Sequence, residues 1–402
     1  MTASTQAPYF APRRLGHVNL WVDDIPTSER FYSDVCGLRV EFTEPDLIAT
    51  FLGTGHTPHD LGMIQKTNGV DRYGKDGLLQ LPGTIGLHAG LNHLAWELEN
   101  EAELVKAFRR MKSDGVPTDI TVDHQVAHSV YMFDPDGNYN EFYCDTVRDW
   151  RNVLNGPMAL LTSHWDPLST DGFTEGRYET DPELRTNPSA PLQPWRITHA
   201  VLETARIEEM TRFYTSIGGL HVVARQEGVV YLGANLPQYE HHLVLVEADR
   251  PNYHHASFQL ADDAALDAAV ARLPSSGVSI DRRVDLPWKR SIFLRDPDGL
   301  LSEWYVKRSA ARTLSAPGDT ALVDAAGGRG PCSASNSLKD NNHGKKRNHF
   351  RRRHRRTGHR GRPGPARLGR DRLRTAIRAA CGRLGHLHLG ERASCARGAG
   401  RL

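Results

Sequence analysis

Residues 122–141 read VDHQVAHSVYMFDPDGNYNE. Alternating residues flank the turn Asp134-Pro135-Asp136-Gly137, a pattern that predicts a β-hairpin whose second strand carries Glu141 inward. Burying a carboxylate without a partner costs several kcal/mol, so a cation or a hydrogen-bond network is expected inside. Upstream, two apolar strands each hold one histidine, His17 in GHVNLWV and His93 in GLNHLAWEL. Two imidazoles and one carboxylate converging from three strands form the facial arrangement that holds a non-haem Fe(II) with open positions.

Working outward from the hairpin, one strand, one helix and three strands follow one another. Residues 91–97 are a predicted strand, 101–115 a helix with apolar residues at helical spacing, and 119–145 hold the remaining strands. The preceding segment has the same order, with a strand at 17–22, a helix at 26–35 stopped by Gly37, and strands at 38–42, 48–52 and 60–65. This two-module unit then recurs. RFYSDVCGLRV from Arg30 matches RFYTSIGGLHV from Arg212, and MFDPDGNYNEFY from Met132 matches LRDPDGLLSEWY from Leu294. The offset is 182 in the first module and 162 in the second, so the N-terminal half carries an insertion of 182 − 162 = 20 residues. It falls in the Gly- and Leu-rich segment 68–89, for which no period gives a conformation; a lid and an oligomer contact are both open readings. The expected class is α+β: four βαβββ modules paired into tandem domains at 14–146 and 195–308. A linker at 147–194, rich in Pro, Thr, Ser and Asp, joins them with little regular structure.

The chain has 402 residues, 39% of them hydrophobic, which is ample for two cores. Its net charge of +2 divides into +17 for residues 309–402 and −15 for the first 308. The run KKRNHFRRRHRRTGHRGRPGPARLGR from Lys345 has almost no apolar periodicity, so the segment 309–402 is expected to be a disordered basic tail. Such charge attracts phosphate non-specifically, yet its Arg/Gly/Ala/His bias is also that of a wrong reading frame in GC-rich DNA. It is given no functional weight, and no specific nucleic-acid partner is expected. Cys36 and Cys144 precede the tail and Cys332, Cys381 and Cys395 lie in it, with no disulfide framework or CxxC pair. MTASTQAPYFAPRR lacks the apolar core of a signal peptide, and no stretch approaches the ~18 apolar residues of a membrane span. A cytoplasmic protein is therefore expected.

The duplication compares each candidate with its internal copy. His17, His93 and Glu141 correspond to His199, His255 and Glu303, and His59 corresponds to His241, so a second metal site is a further candidate. Its bland alternative is a fossil of the duplication. A lone strand histidine is more often a packed or surface residue than a ligand; it is the matching triads that favour metal. His124 becomes Leu286 and Tyr131 becomes Phe293, so only the N-terminal copy keeps this polar pair. His128, replaced by Arg290, reads as solvent-facing, and Asp60 as structural or supporting. Arg148 and Arg151 are candidates to meet a substrate carboxylate, against the commoner reading as exposed linker arginines.

Over residues 14–308 the chain resembles the type I extradiol ring-cleavage dioxygenases, catechol 2,3-dioxygenase-like enzymes of the vicinal-oxygen-chelate or glyoxalase superfamily. The most specific element is VDH, five residues, VY, two residues, DPDG, three residues and Glu141. The resemblance implies Fe(II), less often Mn(II), held by His17, His93 and Glu141. It implies His59 as the acid/base histidine, and His124 with Tyr131 as the pair that orients and deprotonates a small aromatic diol. Dioxygen is the implied co-substrate, and the implied product is of the 2-hydroxymuconic semialdehyde type, formed by a homo-oligomer in aromatic hydrocarbon catabolism. Two features depart from the family: its two-domain members usually keep the active centre in the C-terminal half, and the gap of 34 residues from His59 to His93 is long. A glyoxalase-like isomerase or epimerase is the first alternative, but it needs a fourth protein ligand, for which only Asp60 is at hand. A non-catalytic small-molecule-binding protein of the same fold is the second.

Overall fold

The computed structural model describes residues 7–74, 77, 79–158 and 162–308, so the basic tail predicted for 309–402 lies outside the described residues. The first module comprises β1 (Arg14–Val22), α1 (Ile25–Arg30), β2 (Arg39–Glu44), β3 (Ala49–Gly53) and β4 (Leu61–Gln65). Asp24 caps α1 by accepting from the Thr27 backbone N–H, and Pro26 sits in its first turn. The helix predicted over 26–35 is split. Phe31–Val35 is a π-helical turn, whose wider winding buries Phe31, Tyr32 and Val35 together.

A short ribbon, β5 (Arg72–Tyr73) with β6 (Leu79–Leu81), occupies the insertion. The second module follows as β7 (Gly90–Glu97), α2 (Glu101–Ser113), β8 (Thr121–Asp123), β9 (Ala127–Phe133) and β10 (Tyr139–Asp145), with α2 capped by Asn100. The linker adds β11 (Gly156–Pro157) and β12 (Ser163–His164). The first sheet runs β11-β2-β3-β4-β1-β7-β10-β9-β8-β12, so the segment predicted as a plain linker closes both sheet edges. The second half repeats the plan with β13 (Pro194–Thr204), α3 (Ile207–Ser216), β14 (His221–Gln226), β15 (Val229–Gly233), β16 (Leu243–Glu247), β17 (Asn252–Leu260), α4 (Asp263–Arg272), β18 (Ile280–Asp285), β19 (Lys289–Arg295) and β20 (Leu301–Lys307). Its sheet order is β14-β15-β16-β13-β17-β20-β19-β18.

Strand alternation gives each sheet two different faces. On β10, Phe142 and Cys144 enter a core that runs through both halves, where Phe10 stacks on Phe142 with centroids 3.9 Å apart. Glu141 and Tyr143 point the other way, into a cavity. The repeated motifs also hold the halves together. Tyr32 donates to Asp296 at 3.0 Å, and Tyr214 donates to Asp134 at 2.9 Å, so the RFY helix of each half grips the DPDG turn of the other. Burial pushes both aspartates up to about 6. Tyr214→Phe removes this donor from a buried acceptor and should destabilise the protein by about 1–3 kcal/mol. Denaturant unfolding checks this; an unchanged midpoint at unchanged slope would show that the latch carries no stability.

Candidate metal centre

Three adjacent strands, β1, β7 and β10, bring the ligands together. Ala95 on β7 is in register with His17 on one side and Glu141 on the other, and His93 lies one same-face step before it. The Glu141 Oε2 atom is 3.2 Å from His17 Nε2 and 3.1 Å from His93 Nε2, and the two imidazole nitrogens are 3.3 Å apart. All three side chains are buried. Two imidazole nitrogens aimed at one point satisfy nothing on their own, whereas an N₂O donor set around one divalent ion satisfies all three groups. The His93 tautomer agrees: Nδ1 donates to Asn92 Oδ1 at 2.6 Å, which leaves the Nε2 lone pair facing the centre. Ser129 donates to the other Glu141 oxygen at 2.6 Å. Burial works to raise the Glu141 carboxyl, but His17 and His93 outweigh it and hold the group well below its usual range. The residues present therefore fit a resident metal.

The other sequence-predicted residues surround this triad. His59 stacks on His17, with ring centroids 3.9 Å apart, and its Nε2 donates to Asn19 Oδ1 at 3.2 Å. That bond leaves the buried Nδ1 of His59 as an acceptor with no partner among the described residues. Burial holds His59 well below its ordinary value, so it is neutral. His124 Nε2 and Tyr131 OH lie 3.0 Å apart on the hairpin, with Tyr131 in register with Glu141. Burial lowers His124 and raises the Tyr131 phenol well above its usual range. The triad, His59, His124 and Tyr131 all border one cavity of about 450 Å³.

The second triad is also assembled, but differently. His199 Nε2 and His255 Nε2 each lie 3.7 Å from Glu303 Oε2, and the Lys289 ammonium donates to the same oxygen at 2.7 Å. Two small cavities of about 20 and 30 Å³ lie there. Sequence reasoning missed Lys289 and its neighbour Trp288, although the signal was available: at offset 162 they replace Ala127 and Val126. Asn19 and Ser129, which orient His59 and Glu141, were missed as well.

Several further expectations are settled. His128 is not solvent-facing; it pairs with Glu101 at 2.5 Å and stacks on Trp165, which ties the linker to the sheet. Its counterpart Arg290 pairs likewise with Asp263, the counterpart of Glu101. Asp60 is structural, accepting from Thr54 and from the Ile197 backbone of the second half. Neither Arg148 nor Arg151 borders the cavity: the first donates to Gly176 O and the second pairs with Glu41. The insertion does border it, through residues 79–82 and 85–86.

Among known proteins, the profile of the Glyoxalase/Bleomycin resistance protein/Dioxygenase superfamily matches residues 14–142 and 196–303, and the chain belongs to that superfamily. Within it, the chain is extradiol-dioxygenase-like. It is 26% identical over 243 residues to the catechol-2,3-dioxygenase of Bacillus subtilis (strain 168), covering 58% of this chain and 73% of that one. It is 27% identical over 132 residues to biphenyl-2,3-diol 1,2-dioxygenase 3 of Rhodococcus globerulus, covering 33% of this chain and 63% of the relative. Among solved structures, the 2,3-dioxygenase LapB from Pseudomonas sp. KL28 shares the fold at a TM-score of 0.53 and 17% identity, over 77% of this chain and 97% of that one. No helix of the described residues is long and apolar enough to cross a membrane.

Proposed function

We propose that the N-terminal half is a metal-dependent extradiol dioxygenase that opens the ring of a catechol with O₂. Both oxygen atoms enter the product, a 2-hydroxymuconic semialdehyde-type acid. The observation that carries this reading is the meeting of three buried donors within 3.1–3.3 Å of one another at the edge of an open cavity, with the His124–Tyr131 pair on the same side. His17, His93 and Glu141 would hold Fe(II), with Mn(II) as the alternative ion. The ion supplies Lewis-acid and redox chemistry to a diol that chelates it.

The remaining steps belong to the chain's own side chains. The Tyr131 hydroxyl donates to His124 Nε2, so its oxygen is free to accept from a diol hydroxyl while His124 takes up the displaced proton. His59, fixed by Asn19 and stacked on the ligand His17, borders the cavity, where its imidazole can accept a proton from the substrate and return it as the ring opens. The apolar sheet face around these groups lowers the local dielectric and strengthens each polar contact. Asp60 is committed to Thr54 and Ile197, so the fourth carboxylate that an isomerase of this fold would use is not offered to the triad.

An oxygen electrode tests the reading. Protein reconstituted with Fe(II) or Mn(II) should consume one O₂ for each catechol lost, and the chelated apoprotein none. A metal-loaded protein that consumes no oxygen with any catechol would refute it.

A further inference from the structure

We propose that the insertion 68–89 builds a specificity pocket for an uncharged, apolar substituent on the diol, such as a second aromatic ring. This rests on the ring-cleavage reading above. His17, Asn19 and Trp21 occupy successive same-face positions on β1, so the Cα of Trp21 lies about 13 Å along the strand from that of His17. All three border the one cavity, and a single ring seated at the triad leaves its Trp21 end empty. That end is walled by Trp21, Ile64 and Leu154 from the sheet and linker and by Leu81 and Ile85 from the insertion, while Phe42 and Phe51 continue the apolar wall toward His59.

The described residues of the insertion are held firmly in this place. The Arg72 guanidinium donates to Leu47 O and Lys66 O, and Thr67 donates to Ile85 O at 2.6 Å. A Cβ at Gly86 would come within 2.6 Å of the Trp21 ring, so the insertion lies flush on the indole. The second half has no equivalent segment, and the cavities at its triad are small. Among the described residues that border the cavity there is no lysine or arginine, while Glu44 and Asp145 do border it. An anionic substituent therefore meets no cation there, and a flat apolar one meets aromatic and aliphatic side chains.

The test is kcat/KM by oxygen uptake for catechol and for catechols carrying a phenyl, a carboxymethyl or an aminoethyl group. The phenyl compound should exceed the carboxymethyl compound at least about 100-fold, equivalent to about 2.8 kcal/mol. Ile85→Arg and Leu81→Arg, at half-buried positions, should each cut that ratio at least about tenfold. Preference for the carboxymethyl or aminoethyl compound would overturn the pocket and leave ring cleavage standing. Absence of turnover with every compound in metal-loaded protein would take both readings down.

A separate observation carries a second inference: the structure assigns Lys289 as a tethered cation that takes the place of a metal in the C-terminal triad. Its ammonium lies 2.7 Å from Glu303 Oε2 where the first half has only the methyl group of Ala127. The buried Ser257 hydroxyl donates to the same oxygen at 2.7 Å. Metal titration should give one ion per wild-type chain, none in Glu141→Ala and two in Lys289→Ala. Two ions in the wild type, or one retained by Glu141→Ala, would overturn the assignment even if Lys289→Ala failed to fold.

Discussion

Glu141→Ala is expected to purify without its divalent ion and to lose on the order of 10³-fold or more in kcat/KM, since a catalytic metal supplies several kcal/mol of transition-state stabilisation. Glu141 is the one anionic member of the triad, and both imidazole nitrogens face the same oxygen of it. Without the carboxylate, two neutral imidazoles 3.3 Å apart are left, a pair too weak to hold a hard divalent ion against water. The variant should still fold. The change strands the Ser129 hydroxyl, a loss of about 1–3 kcal/mol, and removes a buried charge at the same time. Metal content by mass spectrometry and oxygen uptake read the result together. A variant that keeps a full equivalent of metal would place the ion elsewhere.

His59→Phe should behave in the opposite way, with full metal content, little change in KM and a fall of about 10²–10⁴ in kcat, the range of a single acid/base group. Phenylalanine keeps the ring that stacks on His17 and loses both ring nitrogens of a residue that borders the cavity. A residue with a purely packing role would lower stability and metal content and spare turnover per metal. Unchanged kcat per bound ion would remove His59 from the mechanism. A large rise in KM alone would recast it as a substrate-binding group.

Much of this arrangement was legible in the chain because polar residues stand out on apolar strands. His17 and Glu141 each stand in a run whose neighbours are buried, His93 stands where β7 passes from half-buried to buried, and strand alternation fixes which face they take. The internal copy made the pattern specific, and it isolated His124 and Tyr131 as polar groups that the second half lacks. The latch between the halves was visible as two repeated motifs, RFY and DPDG, but not as a contact, since pairing Tyr32 with Asp296 requires knowing how the two domains dock. Lys289 was hidden for a related reason. In DLPWKRSIFLR a lysine beside an arginine reads as a solvated strand end, and only the register of β19 against β20, with Lys289 at the far end from the turn and its side chain folded onto Glu303, shows it to be buried.

His128 was misread because its partner Glu101 and its stacking surface Trp165 come from a helix and a linker that no strand period locates. The insertion gave no period at all. Its position depends on Arg72 meeting backbone carbonyls of two separate loops, a long-range contact that local propensity does not encode. The linker was likewise read by composition alone. Proline and serine carry no period that would place the edge strands β11 and β12, which depend on open sheet edges waiting for them.

Anomalous diffraction at the metal edge from crystals of the Fe(II)- or Mn(II)-loaded chain is the most direct test that these residues form one metal centre in the first half. One peak is expected among His17, His93 and Glu141, with no density above noise beside His199, His255 and Glu303. A peak at the second triad alone, or peaks of equal height at both, would contradict it.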